Sequence, residues 1–409
     1  MNTAFCTVRV GLKRFCNRSN LSAHAITAFG VALGLCLCVA PACAQTAASA
    51  GSHTFPMKFV EKSGTLSLDI EPGKGEVKFR KEPDFGKDKV VRHAIAIGPG
   101  KDDFLGFALD FTKKTLYFDL NQNLDLTDDP QGVFQAGNQN VPTSYAMFRS
   151  VRINFKKNGV ERTALFEPFY YYGDNSGYAY LQSSYQAEIE LAGQKWRLEV
   201  IDDLNGVISD QDRFMIVPIS DGSGAKQPVF NAMKVPGNLF LGGRLYQLKF
   251  TFGTTPEAAP LTADFTEIGA PMGELAFDGQ FVRRAVLEGN GLAVFDGPGE
   301  TVAVPAGKYK VQTIYLQAAS GSPMLATSKV DGLPQITVAA GTPAHVKIGA
   351  PLESSVQPSS RGNVLTLNYI LKGSGGEEYS AVNPDSKNPP KLTIYKGDRQ
   401  VGAGNFSFG

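Results

Sequence analysis

Three observations predict an all-β protein. Apolar and polar residues alternate over five separate stretches, and 44 Gly and 24 Pro supply chain reversals throughout. No amphipathic stretch longer than about two helical turns follows residue 44. A hydrophobic share of 43% and a net charge of +1 over 409 residues exclude intrinsic disorder and give enough apolar material for several cores.

Residues 1–24 hold Arg9, Lys13, Arg14 and Arg18 and no acid, residues 25–40 are apolar apart from Thr27, and Ala42-Cys43-Ala44 precedes Gln45. A basic start, a short apolar middle and an A-x-A site predict a signal peptide, residues 1–44, cleaved after Ala44 and directing secretion to the periplasm or the exterior. Sixteen helical residues span only about 24 Å, too short for the hydrocarbon core. All five cysteines lie before that cut, so the mature chain is expected to lack disulfides, thiolate catalysis and cysteine-bound metal. It keeps 36 basic and 39 acidic residues without a basic stripe, which speaks against nucleic acid, and it has no further membrane span.

Residues 114–120 put Leu116, Phe118 and Leu120 on one side and Thr115, Tyr117 and Asp119 on the other. Residues 195–200 separate Trp196, Leu198 and Val200 from Lys195, Arg197 and Glu199, and residues 244–252 set Tyr246, Leu248, Phe250 and Phe252 against Gln247, Lys249 and Thr251. The same alternation recurs at 308–316 and 363–371. Period two is the signature of half-buried antiparallel strands. Asn158-Gly159, Gly289-Asn290-Gly291 and Pro305-Ala306-Gly307 read as turns between them.

Two polar, proline-containing stretches, 253–262 (GTTPEAAPLT) and 351–363 (PLESSVQPSSRGN), read as linkers. They divide the mature chain into a β-rich N-terminal region, 52–252, a β-sandwich, 263–350, and a small β module, 351–409. Residues 115–134 and 197–216 both run from an alternating strand through an Asp/Asn-rich loop to apolar residues, which suggests an internal duplication.

The densest chemistry is Asp119-Leu-Asn121-Gln-Asn123-Leu-Asp125-Leu-Thr127-Asp128-Asp129. Side-chain oxygens stand at positions 1, 3 and 5, position 7 (Asp125) offers its carbonyl, and Asp128 or Asp129 supplies a closing carboxylate. A hard cation such as Ca²⁺ takes six to eight oxygens, which alternate residues of a curled loop deliver. The segment resembles an EF-hand-type or dockerin-type calcium loop, which implies Ca²⁺ as cofactor. It departs from that pattern at position 6, where Leu124 replaces the usual Gly, and at position 12, where Pro130 replaces Glu. Binding is therefore expected in the weak, extracytoplasmic class, about 10⁻⁴–10⁻³ M. Asp203, Asn205, Asp210 and Asp212 form a second, compressed loop, read first as an exposed acidic turn and otherwise as a metal site of its own or one that completes the first loop's site.

Eight aromatics fall within residues 166–185. Tyr171, Tyr172, Tyr178 and Tyr180 form a possible ligand platform for a glycan or cell-surface ligand, since exposed rings stack on sugar faces. Strand packing explains such rings equally well. Catalytic motifs are missing, and His53, His93 and His345 lack local partners, His93 reading as a strand residue. The residues favour a non-enzymatic protein for adhesion or ligand binding. A hydrolase with an unrecognised acidic site, such as Asp102 with Asp103 or Glu190 with Glu199, stays open. Val304-Pro305-Ala306-Gly307-Lys308-Tyr309-Lys310-Val311 resembles the P-x-G-x-Y-x-V strand opening of carboxypeptidase-regulatory-like and prealbumin-like sandwiches, which implies the same fold for the C-terminal half.

Overall fold

The computed structural model describes residues 7–11, 51–61, 68–70, 77–98, 100–137, 145–157, 160–171, 176–219, 230–255, 258, 260–319, 322–362, 364–382 and 389–406. Among them the protein is all-β, with mostly antiparallel sheets and one 3-10 turn, Pro130–Gly132, as its helical element. No helix among the described residues is long and apolar enough to cross a membrane.

The first core lies between two sheets. Val90–Ala96, Phe104–Asp110, Thr115–Phe118 and Val133–Gln135 form a four-stranded meander. Facing it is a five-stranded sheet of Leu68–Ile70, Ser176–Leu181, Val160–Tyr171, Tyr145–Met147 and Val151–Lys157. Phe107, Leu116 and Phe118 from the meander meet Ile153, Phe166 and Leu181 from the other sheet. The predicted alternation of 114–120 holds for Leu116 and Phe118, while Tyr117 turns the other way onto Phe85.

The longest sheet continues from Met233–Lys234 through Arg213–Pro218, Gln194–Ile201, Ser183–Leu191, Ser52–Glu61, Leu261–Glu267 and Arg244–Phe252 to Asn238–Leu241. Trp196, Leu198 and Val200 share a second core with Met57, Tyr246, Leu248 and Phe265, as their alternation predicts. Residues 253–262 are not a linker. They join Arg244–Phe252 to Leu261–Glu267, paired from Tyr246↔Glu267 to Phe252↔Leu261, and the second of these strands pairs in turn with Ser52–Glu61. The N-terminal region therefore extends past 252, because proline and small polar residues suit a tight reversal as well as a tether.

The third core is a sandwich. Met272–Phe277, Thr301–Pro305 and Ala344–Val346 lie over Val282–Gly289, Gly291–Asp296 and Gly307–Leu316, with Leu275, Phe277 and Val304 against Leu287, Val311 and Ile314. The turn expected at Gly289-Asn290-Gly291 joins two of these strands, and Gly291 takes φ 122°. At Pro305-Ala306-Gly307 the Tyr309 hydroxyl donates to the Pro305 carbonyl at 2.7 Å, which ties the strand opening to the strand before it.

Residues 351–409 are not self-contained either. Glu378–Ala381 pairs with Leu325–Lys329, and Tyr379 belongs to the third core. The Glu377 carboxylate accepts the Gly349 amide at 2.6 Å, the Gly375 amide at 3.0 Å and the Tyr379 hydroxyl at 2.8 Å. The polar stretch expected as a second linker is mostly a strand, Glu353–Arg361, exposed along most of its length and paired with Val364–Lys372. Exposure explains its composition. Of residues 1–44, expected as a signal peptide, Thr7–Gly11 lies antiparallel to Lys391–Lys396; the rest lies outside the described residues, as does the Asn158-Gly159 turn.

Candidate metal centres in two aspartate loops

Asp119 follows the Thr115–Phe118 strand directly and is only 1% exposed. Its Oδ1 accepts the Asn123 amide at 3.0 Å and its Oδ2 the Leu124 amide at 2.8 Å. The loop curls through Gln122 (φ 59°) and Leu124 (φ 64°), both in the left-handed region. Leu124 thus adopts the conformation that glycine usually supplies. A ladder of short side-chain bonds follows: Asn121 Oδ1 accepts from Asn123 N at 3.1 Å, Asn123 Oδ1 from Asp125 N at 2.7 Å, and Asp125 Oδ1 from Thr127 N at 2.8 Å. Asn123 Nδ2 donates to Asp128 Oδ2 at 2.7 Å, and Asp129 Oδ2 accepts the Leu120 amide at 3.1 Å.

Charge in this loop is uneven. Asp125 pairs with Lys81 at 3.4 Å, and its carboxyl is held below the usual range by Thr127 first and Lys81 second. Burial pushes the Asp119 and Asp129 carboxyls up, and the Asp128 charge adds to both shifts. Among the described residues no Lys, Arg or His ion-pairs with Asp119, Asp128 or Asp129. Each carboxylate oxygen keeps a lone pair after its amide bond, so these side chains retain donors for a cation. The six residues expected as ligands are therefore gathered in one hydrogen-bonded loop, with three charges uncompensated.

The second loop has a different membership from the one its sequence suggests. Asp202, at the end of the Gln194–Ile201 strand, and Asp212, before Arg213–Pro218, are 2% and 0% exposed. With Asp203 they place one carboxylate oxygen each within 4.8 Å of one another. Asp212 accepts the Asp203 amide at 2.7 Å and the Ser209 amide at 2.6 Å, and Asp202 Oδ1 accepts the Leu204 amide at 2.8 Å. Leu204 (φ 69°) and Gly206 (φ 96°) turn the chain. Burial, then the neighbouring Asp212 charge, pushes Asp202 up to about 7; burial, then the Asp203 charge, carries Asp212 to about 6 against its two amide bonds. Asp210 is exposed, bonded by Gln211 Nε2, and outside the cluster. Asn205 closes the turn, its Oδ1 accepting Val207 N at 3.0 Å.

The loops share a frame. Asp119 and Asp202 each end a strand, and Asp129 and Asp212 each lie ten positions on. Each later Asp accepts the amide of the residue after the earlier one. Each loop also carries a leucine at positive φ. Both abut the end of Val151–Lys157: Gln122 Nε2 donates to the Lys156 carbonyl at 2.9 Å, and a Cβ on Gly206 would meet Lys157 Cε at 3.4 Å. The sequence carries Asp202 only through this strand-end, plus-ten spacing, which a ladder of ligands at alternate residues does not contain.

The aromatic stretch divides. Phe166, Tyr170 and Tyr185 are buried, and Tyr180 is half-buried beside Phe169. Tyr171 is 39% exposed, 6.4 Å from Tyr145. Tyr172 and the Tyr178 side chain lie outside the described residues. His93 occupies the Val90–Ala96 strand, 6.5 Å from the Tyr170 ring. Glu190 stands opposite Lys195 and Glu199 opposite Gln186, so these two glutamates do not face each other across the ladder. No protein-family model matches the chain, and no curated protein or solved structure matches it.

Proposed function

We propose that this is an exported, multi-domain β protein in which residues 119–129 hold a structural Ca²⁺ and the sandwiches present surfaces for adhesion or ligand binding. The observation that carries this reading is that Asp119, Asp128 and Asp129 share one curled loop without a paired cation, in which two amides fix Asp119; among the described residues no three of the loop's carboxylates come within 4.8 Å of one another, so binding there requires Asp128 or Asp129 to swing in. Asp119, Asn121, Asn123, Asp128 and Asp129 supply side-chain oxygens and Asp125 its carbonyl. Bound there, Ca²⁺ neutralises the carboxylates and stiffens the loop closing the Thr115–Phe118 and Val133–Gln135 hairpin. Export rests on the basic and apolar leader with its A-x-A site. The glycan platform is narrower than its sequence suggested, with Tyr171 its one exposed member among the described residues.

A cation that binds only the folded chain at 100 times its Kd adds about 2.7 kcal/mol. At the expected Kd, 10 mM Ca²⁺ is about 10–100 times Kd, so melting there should lie above melting in chelator by the equivalent of about 1.4–2.7 kcal/mol. In the Asp119→Ala/Asn121→Ala double variant most of that difference should vanish. A wild-type melting temperature indifferent to Ca²⁺ and chelator removes the reading.

A further inference from the structure

Asp202, Asp203 and Asp212 bring three carboxylates to one point inside the protein, two of them almost fully buried. The nearest balancing charge is Arg162, whose Nη1 stands 3.9 Å from Asp202 Oδ2, beyond hydrogen-bond range. Its guanidinium lies instead 3.7 Å from the centre of the Phe252 ring, with Nε and Nη1 unbonded. Asp202 Oδ2 accepts no hydrogen bond either, although the residue is 2% exposed. An orphaned, buried carboxylate oxygen costs free energy unless something fills its place.

We propose that Asp202, Asp203 and Asp212 form a second metal centre that takes one hard divalent cation, with Ca²⁺ the chemistry that fits. Two oxygens bound to one Ca²⁺ at about 2.3–2.6 Å can be at most about 5 Å apart. The observed limit of 4.8 Å among the three satisfies that. Three carboxylates and one guanidinium leave two negative charges, which a divalent ion cancels. The amides of Asp203, Leu204 and Ser209 hold Asp212 and Asp202 in place before any ion arrives. Asn205 holds Asp203 from both sides, its amide on Oδ1 at 3.0 Å and its Nδ2 on Oδ2 at 3.1 Å. The site lies where the Gln194–Ile201 strand hands the chain to Arg213–Pro218, so the ion ties the first core to the second. Leu204 reaches into one, and Val200 and Phe214 into the other.

This centre does not rest on the 119–129 site, and its test keeps the two apart. Chelator-stripped protein is titrated calorimetrically with CaCl₂, with MgCl₂ as a second arm. Wild type should take up two Ca²⁺, and the Asp119→Ala/Asn121→Ala variant should keep one. Adding Asp202→Asn to that variant keeps the shape and the acceptor for Leu204 N while removing the charge. It should weaken the remaining site at least about tenfold. Its metal-free melting temperature should stay level or rise, because a buried repulsive charge has gone. If Asp202→Asn fails to fold, Asp203→Ser, at the half-buried member, should give the same weakening. Absence of Ca²⁺ uptake by the folded Asp119→Ala/Asn121→Ala protein overturns the proposal. So does unchanged affinity after Asp202→Asn or Asp203→Ser. If wild type takes up one ion and loses it with Asp202→Asn alone, this centre stands and the 119–129 reading falls.

Discussion

Leu124 sits at φ 64°, where the Cβ of an ordinary residue crowds its own backbone at a cost of roughly 1–2 kcal/mol. The cost is tolerated because only that turn lets the Leu124 amide point back at Asp119 Oδ2. A β-branched side chain, stiff at χ1, fits the left-handed region worse, and glycine fits it best. Leu124→Val should therefore melt lower by about 1–2 kcal/mol in thermal or urea unfolding, while Leu124→Gly should melt no lower than wild type. Equal stability of the Val and Leu proteins would mean the backbone relaxes elsewhere in the loop. The curled loop after Asp119 was legible in the sequence because Asp and Asn at alternate positions accept the amide two residues on, as Asn121, Asn123 and Asp125 do. Asp202 was not, since its partners are one adjacent residue and one ten positions on. Only the paired strands on either side bring that last residue back.

Val151–Lys157 is the element on which both loops lean, and it ends in a buried lysine. Lys157, 6% exposed, pairs with Asp103 across from it. The pairing with Lys157, helped by the Gly100 amide, holds the Asp103 carboxyl below its usual value. A carboxyl depressed in the folded state gives stability that is present above its unfolded pKa, about 3.9, and is lost as pH falls through the folded value. Asp103→Asn should therefore lower the melting temperature at pH 7, where it strands a buried ammonium, and the gap should narrow below about pH 4. A gap that stays constant with pH would show that the pair contributes shape rather than charge. Elements of this kind were legible where alternation met a single core, as with Trp196, Leu198 and Val200. Segment 253–262 reads as a linker because a connection between paired strands and an interdomain tether draw on the same residues. What separates them is whether flanking strands pair, as Tyr246 with Glu267 does.

At the scale of the whole molecule, sequence patterns say nothing of which strands meet. Ser52–Glu61 finds Leu261–Glu267 about 200 residues away, and Asn238–Leu241 runs parallel to Gly291–Asp296. Each pairing is set by packing between residues far apart in sequence, which a local alternation does not encode. The join between the N-terminal region and the third core shows what holds these units together. Arg284, 1% exposed, reaches both Asp296 oxygens, at 3.1 and 3.0 Å, and donates to the Ile216 carbonyl at 2.6 Å. Its guanidinium lies 4.4 Å from the centre of the Phe230 ring, and Tyr315 packs edge-on against the same ring while its hydroxyl accepts the Asn231 amide at 2.6 Å. One side chain thus satisfies an ion pair in one unit and a carbonyl in the other. Burial opposes both charges, raising the Asp296 carboxyl and lowering the Arg284 pKa, so the pair is stable only as a pair. Asp296→Ala, which leaves the guanidinium buried and half-bonded, should lose about 3–5 kcal/mol in urea unfolding. The Arg284→Met/Asp296→Val double variant, which removes both charges and stays close to the original volume, should recover most of that loss. A single variant within about 1 kcal/mol of wild type would mean that water reaches the pair and that the apolar contact of Met215, Val217 and Phe230 with Tyr315 and Ala326, together with the shared sheet, joins the two units.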